Sequence, residues 1–245
     1  MGDINSAQVQ LITDVRKKIE DNVKGSPCLA EAAQSACGHI YETFKESIVL
    51  ARIFATVQFD KLPSQNQKFV NELAGTKGIA DLIDSQTLVL SLLGSRGEDP
   101  AWNDRHHSKG HVGIPLASGA FINKIPMMSR LLNDLGLGLG WIDSKDRNVF
   151  TRTTGKMGGV FHVLDAASAE DALGRKIIAD QTFVDKHKVK TVFGVGGGYI
   201  LGNTFIVLII FCRDSIPRQR AELFVPIINS IKTATAPFVS RGDIF

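Results

Sequence analysis

The sequence predicts an α/β chain of the α+β kind: a central, mainly antiparallel sheet flanked by helices. Three observations lead there. Four runs rich in β-branched and apolar residues, at 48–59, 87–93, 189–195 and 204–213, read as strands. The last two are joined by a short glycine-rich stretch, which implies a hairpin and so antiparallel pairing. Amphipathic helical patterns stand at both ends of the chain, placed to cover one face of the sheet. The strong strands do not alternate regularly with helices, which argues against a doubly wound sheet.

The elements follow in order. Leu11, Ile12, Val15 and Ile19 recur at helical spacing within 4–23. Gly25, Ser26 and Pro27 end that helix, and Ser26 with Pro27 is expected to cap a second one running to Phe44. The strand at 48–59 is followed by a turn at 62–64 and a short helix at 65–73, closed by Gly75 and Gly78. After the strand at 87–93 comes a polar loop, 95–113. Phe121, Ile122, Ile125, Met128, Leu131 and Leu132 define a helix over 118–135, with Pro126 placed to kink it. Residues 136–140 read as a loop or weak strand, and 143–159 as a mobile, glycine-rich loop. A short strand at 161–165 and a helix over 168–187 precede the final hairpin. The closing helix runs from Pro217 through Ile231.

Composition bounds the function. The chain has 245 residues, 44% hydrophobic and 22% charged, which is enough to bury a substantial core. A net charge of +3 is too weak a bias to argue for nucleic acid. The N-terminus lacks a basic leader followed by an apolar core, so a signal peptide is not expected. Gly2 and Ser6 match a myristoylation pattern formally, but nothing else in the sequence points to a membrane. The most apolar run, 205–212, is far short of the roughly 20 residues that span a bilayer and reads as a buried strand. Cys28, Cys37 and Cys212 form no CxxC pair and read as reduced thiols of a cytoplasmic protein.

The stretch 183–195, FVDKHKVKTVFGV, followed by small residues, the run FIVLIIF at 205–211 and an amphipathic helix, resembles the end of a GAF domain. The helix from Pro27 to Phe44 and the strand after it resemble its opening. Residues 92–116 also resemble bacterial sensory modules. The resemblance implies a GAF/PAS-like sheet at 26–240, an N-terminal helix at 1–25 and an inserted elaboration at about 62–159. It implies a small-molecule-binding sensory domain rather than an enzyme, with a ligand and any cofactor of unknown identity. The chain shows no room for an output domain, so it is expected to signal through a partner, or as part of something longer.

The densest chemistry lies in the 95–113 loop. Arg96 and Arg105 are candidates to clamp an anionic ligand, with Trp102, Asn103, Asp104, His106, His107 and His111 shaping its pocket. The bland alternative is a loop tied over the sheet by Arg–Asp ion pairs. His107 and His111 have the spacing of two metal ligands on a helix, but Gly110 between them weakens that reading, and no third or fourth ligand is evident. An enzyme using Asp104, His106 and His107 for acid–base work is a second alternative, and a ligand-free structural dimer a third. Gly194–Gly198 tempts a dinucleotide reading, but a strand, not a helix, is expected to follow, so its glycines are assigned to a hairpin with positive φ. No GxSxG or Walker A motif is present. Lone His39 and His162 are expected to be satisfied core residues. Finally, the first and last helices carry more apolar surface than one sheet face needs, which predicts a homodimer through them.

Overall fold

The computed structural model describes residues 2–106, 108, 110–144, 158–199 and 204–245. Its strands are β1 (Ile48–Gln58), β2 (Leu88–Gly97), β3 (Gly113–Pro115), β4 (Val160–Val163), β5 (Thr191–Gly198) and β6 (Phe205–Cys212). They form one sheet in the order β3-β2-β1-β6-β5-β4, with every neighbouring pair antiparallel. The four strands expected from their apolar runs are the four middle ones. The short edge strand β3 contains a glycine and a proline, and its pairing with Val89–Ser91 is what makes it a strand.

Alternation along β1 sorts the two faces. Ala51, Ile53 and Ala55 join one apolar cluster, while Leu50 and Phe54 join the other. Helices α1 (Val9–Val23), α2 (Leu29–Thr43) and α8 (Val225–Arg241) cover the first face. Phe224, just ahead of α8, fills its centre, with ring centroids 5.4 Å from Phe44 and 5.1 Å from Phe193. The small residues Ala30, Ala33 and Ala36 let α2 lie close to β2. The approach is so close that a Cβ on Gly94 would sit 2.5 Å from the Ala33 carbonyl carbon. The second face is covered by α4 (Gly119–Asn123), α5 (Pro126–Asp134), α6 (Gln181–His187) and the loop after β2. Two further helices stand among the described residues: α3 (Ser64–Lys77) lies against β3, and α7 (Arg218–Glu222) against β4 and β5.

Several elements differ from expectation, each for a local reason. Helix α1 begins at Val9, because Ile4 is drawn into the core and its N–H donates to the Ser47 hydroxyl. Helix α2 begins at Leu29 with Cys28 as its N-cap, and its cap is tertiary: Leu29 and Ala30 donate their N–H groups to the Asp243 and Ile244 carbonyls. Helix α3 runs through Gly75 and stops only at Gly78, which takes the left-handed conformation at φ 65°. The expected 118–135 helix is two helices, because Pro126 opens the second at a position where its missing N–H costs nothing. The 168–187 helix is confined to its last turns. Upstream, the Asp165 and Asp171 carboxylates bind the backbone N–H groups of Ala167, Leu173 and Arg175, which holds that segment in turns. The expected positive φ at Gly194–Gly198 does not occur; these glycines lie within β5. At Gly194 a Cβ would press on the Leu131 side chain at 3.3 Å. The glycine hairpin tip, 200–203, and most of the expected mobile loop, 145–157, lie outside the described residues.

The surplus apolar surface assigned to the terminal helices is used inside the chain. Ile12, Val15, Ile19 and Val23 of α1 are buried, and α1 packs on α8 and α2. Among the described residues no helix is long and apolar enough to cross a membrane. Cys28, Cys37 and Cys212 are free and buried, and burial pushes the Cys37 and Cys212 thiols well up.

Candidate functional site

The loop after β2 starts from a tight anchor. β2 extends through Gly97, where a Cβ would lie 2.8 Å from the Trp102 ring. Pro100–Trp102 forms a short 3-10 turn, capped by the Asp99 carboxylate on the Ala101 N–H. Trp102 is buried, edge-on to Phe183 at 5.6 Å and tilted against His187 at 4.8 Å. The Glu98 carboxylate receives hydrogen bonds of 2.6 Å from His187 Nδ1 and from Arg213 Nη2, which ties the loop's base to the ends of α6 and β6.

The residues expected to clamp a ligand hold the loop itself. Arg96 pairs with Glu42 at 3.0 Å and lies over the Tyr41 ring. Arg105, almost enclosed, pairs with Glu31 of α2 at 3.1 Å. The Asn103 side chain accepts the Gly97 N–H at 2.8 Å, and its carbonyl accepts from Gln34. Gln34 also binds both the N–H and the carbonyl of Ser95, completing the β2 edge beyond β3 as a neighbouring strand would. Asp104 accepts the backbone N–H of His106 in an exposed turn, and the His106 carbonyl accepts from Gln65. The ion pairs thus run to glutamates on α2, not to aspartates within the loop. His107 lies outside the described residues, so the His107/His111 pair is not described.

Beneath this loop lies a charge the sequence reading passed over. Arg52 stands in the middle of β1, between Ser95 of β2 and Ile209 of β6, and alternation points it to the second face. Its Nη2 donates to the Ser108 hydroxyl at 2.9 Å and its Nε to the Ser95 hydroxyl at 3.4 Å. The guanidinium passes close under Gly110, where a Cβ would meet Nη1 at 3.2 Å. Burial pushes the Arg52 pKa down to about 10. His111 is close enough to feel it. Crowding around the ring lowers the His111 pKa first, although the residue keeps open surface, and the Arg52 and Lys77 charges lower it further. Arg52, Lys77 and His111 therefore share a positive field beside two hydroxyls. The sequence signal for Arg52 is a lone charge inside an apolar strand run. Ser95 and Ser108 give no such signal.

The lone histidines have ordinary roles: His162 Nε2 lies 2.8 Å from the Ile216 carbonyl, and His39 sits half-buried on α2. Among the described residues no group of three His, Cys, Asp or Glu side chains is placed to hold a metal ion.

No family model and no curated protein matches the chain. Among solved structures it is similar to the phycocyanobilin-bound GAF domain of a cyanobacterial phytochrome, at 10% identity and a TM-score of 0.48, over 95% of this chain and 96% of that one. It is likewise similar to the phycoerythrobilin-bound GAF domain of a cyanobacterial phytochrome, at 9% identity and a TM-score of 0.48, over 96% and 97% of the two chains.

Proposed function

We propose that this chain is a GAF-like small-molecule-binding sensory module whose ligand sets an anionic group against Arg52 and His111. The observation that carries this reading is the buried guanidinium on the central strand, held by two hydroxyls under a pinned loop. A fixed guanidinium with neighbouring hydroxyls suits a carboxylate or phosphate oxygen. The field that depresses His111 has the sign an anion relieves. In this reading Arg96, Asn103 and Arg105 are positioning residues, and Trp102 seats the loop that covers the ligand.

A binding role is favoured over the Asp104/His106/His107 enzyme. The Asp104 carboxylate accepts the His106 N–H in an exposed turn, a position open to water rather than enclosed for acid–base work. The acting unit is 26–240 with α1 laid against it, in the cytoplasm, with output through a partner protein or a second copy. A homodimer would use the outward faces of α1 and α8, since their apolar stripes are occupied. Light scattering at micromolar concentration tests this, and a monomer there rules the dimer out.

The ligand is tested by thermal-shift screening of carboxylate- and phosphate-bearing metabolites, with native mass spectrometry of freshly purified protein. A compound that stabilises the wild type should lose its effect in Arg52→Met. A ligand that binds Arg52→Met and His111→Gln as tightly as the wild type would overturn the site. A mass spectrum and screen both blank would favour the ligand-free structural module.

A further inference from the structure

A second site lies at the opposite end of β1, independent of Arg52. The last residues of β1, the start of β2, the residue before β6 and the segment after α8 enclose a cleft of about 540 Å³. That is the size range of small-molecule pockets. Its walls divide by chemistry. Val57 on the sheet side stands beside Val239, Ile244 and Phe245 on the helix side, while Leu88, which also lines the cleft, packs on the second-face cluster. Lys61 stands at the exposed end of the 3-10 turn Phe59–Lys61, with no ion pair among the described residues. Two of the other polar side chains are engaged. Thr56 accepts the Phe205 N–H at 3.0 Å, and the Gln58 amide donates to Gln86 at 2.7 Å. An apolar wall beside one exposed cation suits an apolar body that ends in an anion.

The helix-side wall is a built feature. Gly242 turns the chain at φ 81°, and the Asp243 N–H returns to the Phe238 carbonyl at 2.9 Å. Arg241 pairs with Asp243 at 2.7 Å. The Asp243 and Ile244 carbonyls then cap α2 through Leu29 and Ala30 at 2.9 Å each. Ile244 and Phe245 also pack against two separate apolar clusters. Whatever fills the cleft touches Ile244, whose carbonyl caps the start of α2 through Ala30.

We propose that this cleft binds a medium-chain carboxylate, its chain along Val57, Val239 and the Ile244–Phe245 wall and its head group on Lys61, and that binding fastens the cap on α2. The probe is decanoate, with decanol as its uncharged counterpart, added to the full chain and followed by calorimetry. Decanoate should bind the wild type and lose about tenfold in affinity in Lys61→Gln, a change of about 1.4 kcal/mol. Decanol should bind both equally, and Lys18→Gln on exposed α1 should leave decanoate binding unchanged. Val239→Trp should fill the slot and remove binding of both, with circular dichroism checking that it folds. Hydrogen exchange of the Leu29 and Ala30 amides should slow when decanoate is bound. No decanoate binding to the wild type, or equal binding to wild type and Lys61→Gln, would overturn the proposal. Unchanged exchange at Leu29 and Ala30 would overturn the link to α2.

Discussion

The two faces of the sheet are filled by different means. On the first face α1, α2 and α8 close an apolar cluster in which Phe224 packs tilted against the Phe44 ring and edge-on to Phe193. Its buried polar groups are small and locally satisfied, such as Thr235, which bonds to the Ile231 carbonyl and the Tyr199 hydroxyl. The second face joins an apolar half under α5 to a polar half where Arg52, Ser95 and Ser108 lie beneath a loop. That loop is held by Glu98, Arg96 and Arg105 through contacts with three other elements. The first face is stabilised by shape and apolar area. The second spends part of its interior on a charge.

The comparison can be broken most strongly at Phe224. Phe224→Ala should cost about 4 kcal/mol, read as a lower urea midpoint with an unchanged slope, because the cavity opens between two rings that cannot close it. A loss below about 1 kcal/mol would mean that the first face is not the jigsaw described.

Glu98→Gln should cost less, about 1 kcal/mol, since its carboxylate is partly exposed and screened. Its sharper signature is local. Proteolysis between 98 and 111 should speed up more than global stability falls, because the base of the loop loses both of its charged bonds. Equal changes in both measurements would show that the loop does not open as a unit.

The next effect is in pH. His111 has a folded pKa below the ordinary 6.5, and His39 is lowered in the same direction, by burial and then by Lys18. Above 6.5 both are neutral in either state and contribute nothing. As pH falls through 6.5 the unfolded chain takes up protons first, so stability should decline below that value. His111→Gln should show a shallower decline over the same window. The lowered Asp3 and Asp165 carboxyls act only further down, as pH falls below about 3.8, so the two windows separate. An anion at Arg52 should bind more tightly as pH drops through the His111 window, because the protonated ring adds a second cation. Identical pH slopes for wild type and His111→Gln would remove His111 from the site.

The smallest change belongs to the outer surface of the first face. Lys24→Ala breaks an exposed pair with Asp21 and should shift stability by no more than about 0.3 kcal/mol. A larger loss would mean that the outer rim of α1 carries stability that the burial pattern does not show.

Much of the first face can be read in the residues alone. The spacing of Ile12, Val15 and Ile19 reads as an amphipathic helix, and the short, β-branched, unbroken apolar run of β6 reads as a strand buried on both sides. The hairpin linking β5 to β6 follows from small residues between two such runs. The 98–111 loop is also legible as a charged segment with one tryptophan. What its charges do is not, because ion pairs such as Arg105–Glu31 join residues far apart in sequence. The helix boundaries near 126 and 165–180 turn on where a proline sits in its helix and on aspartate turns, which a period of 3.6 does not detect.

The sequence by itself determined the antiparallel α+β sheet, its four central strands and the helices at either end, because apolar periodicity is a local property of the chain. Only the tertiary structure decided that the terminal helices spend their apolar stripes on each other, that α2 is capped by carbonyls more than 200 positions away, and that Arg52 meets Ser95 and Ser108 within electrostatic reach of His111. Those outcomes depend on which strands become neighbours, and strand order is fixed by the packing of the whole core rather than by any segment of it.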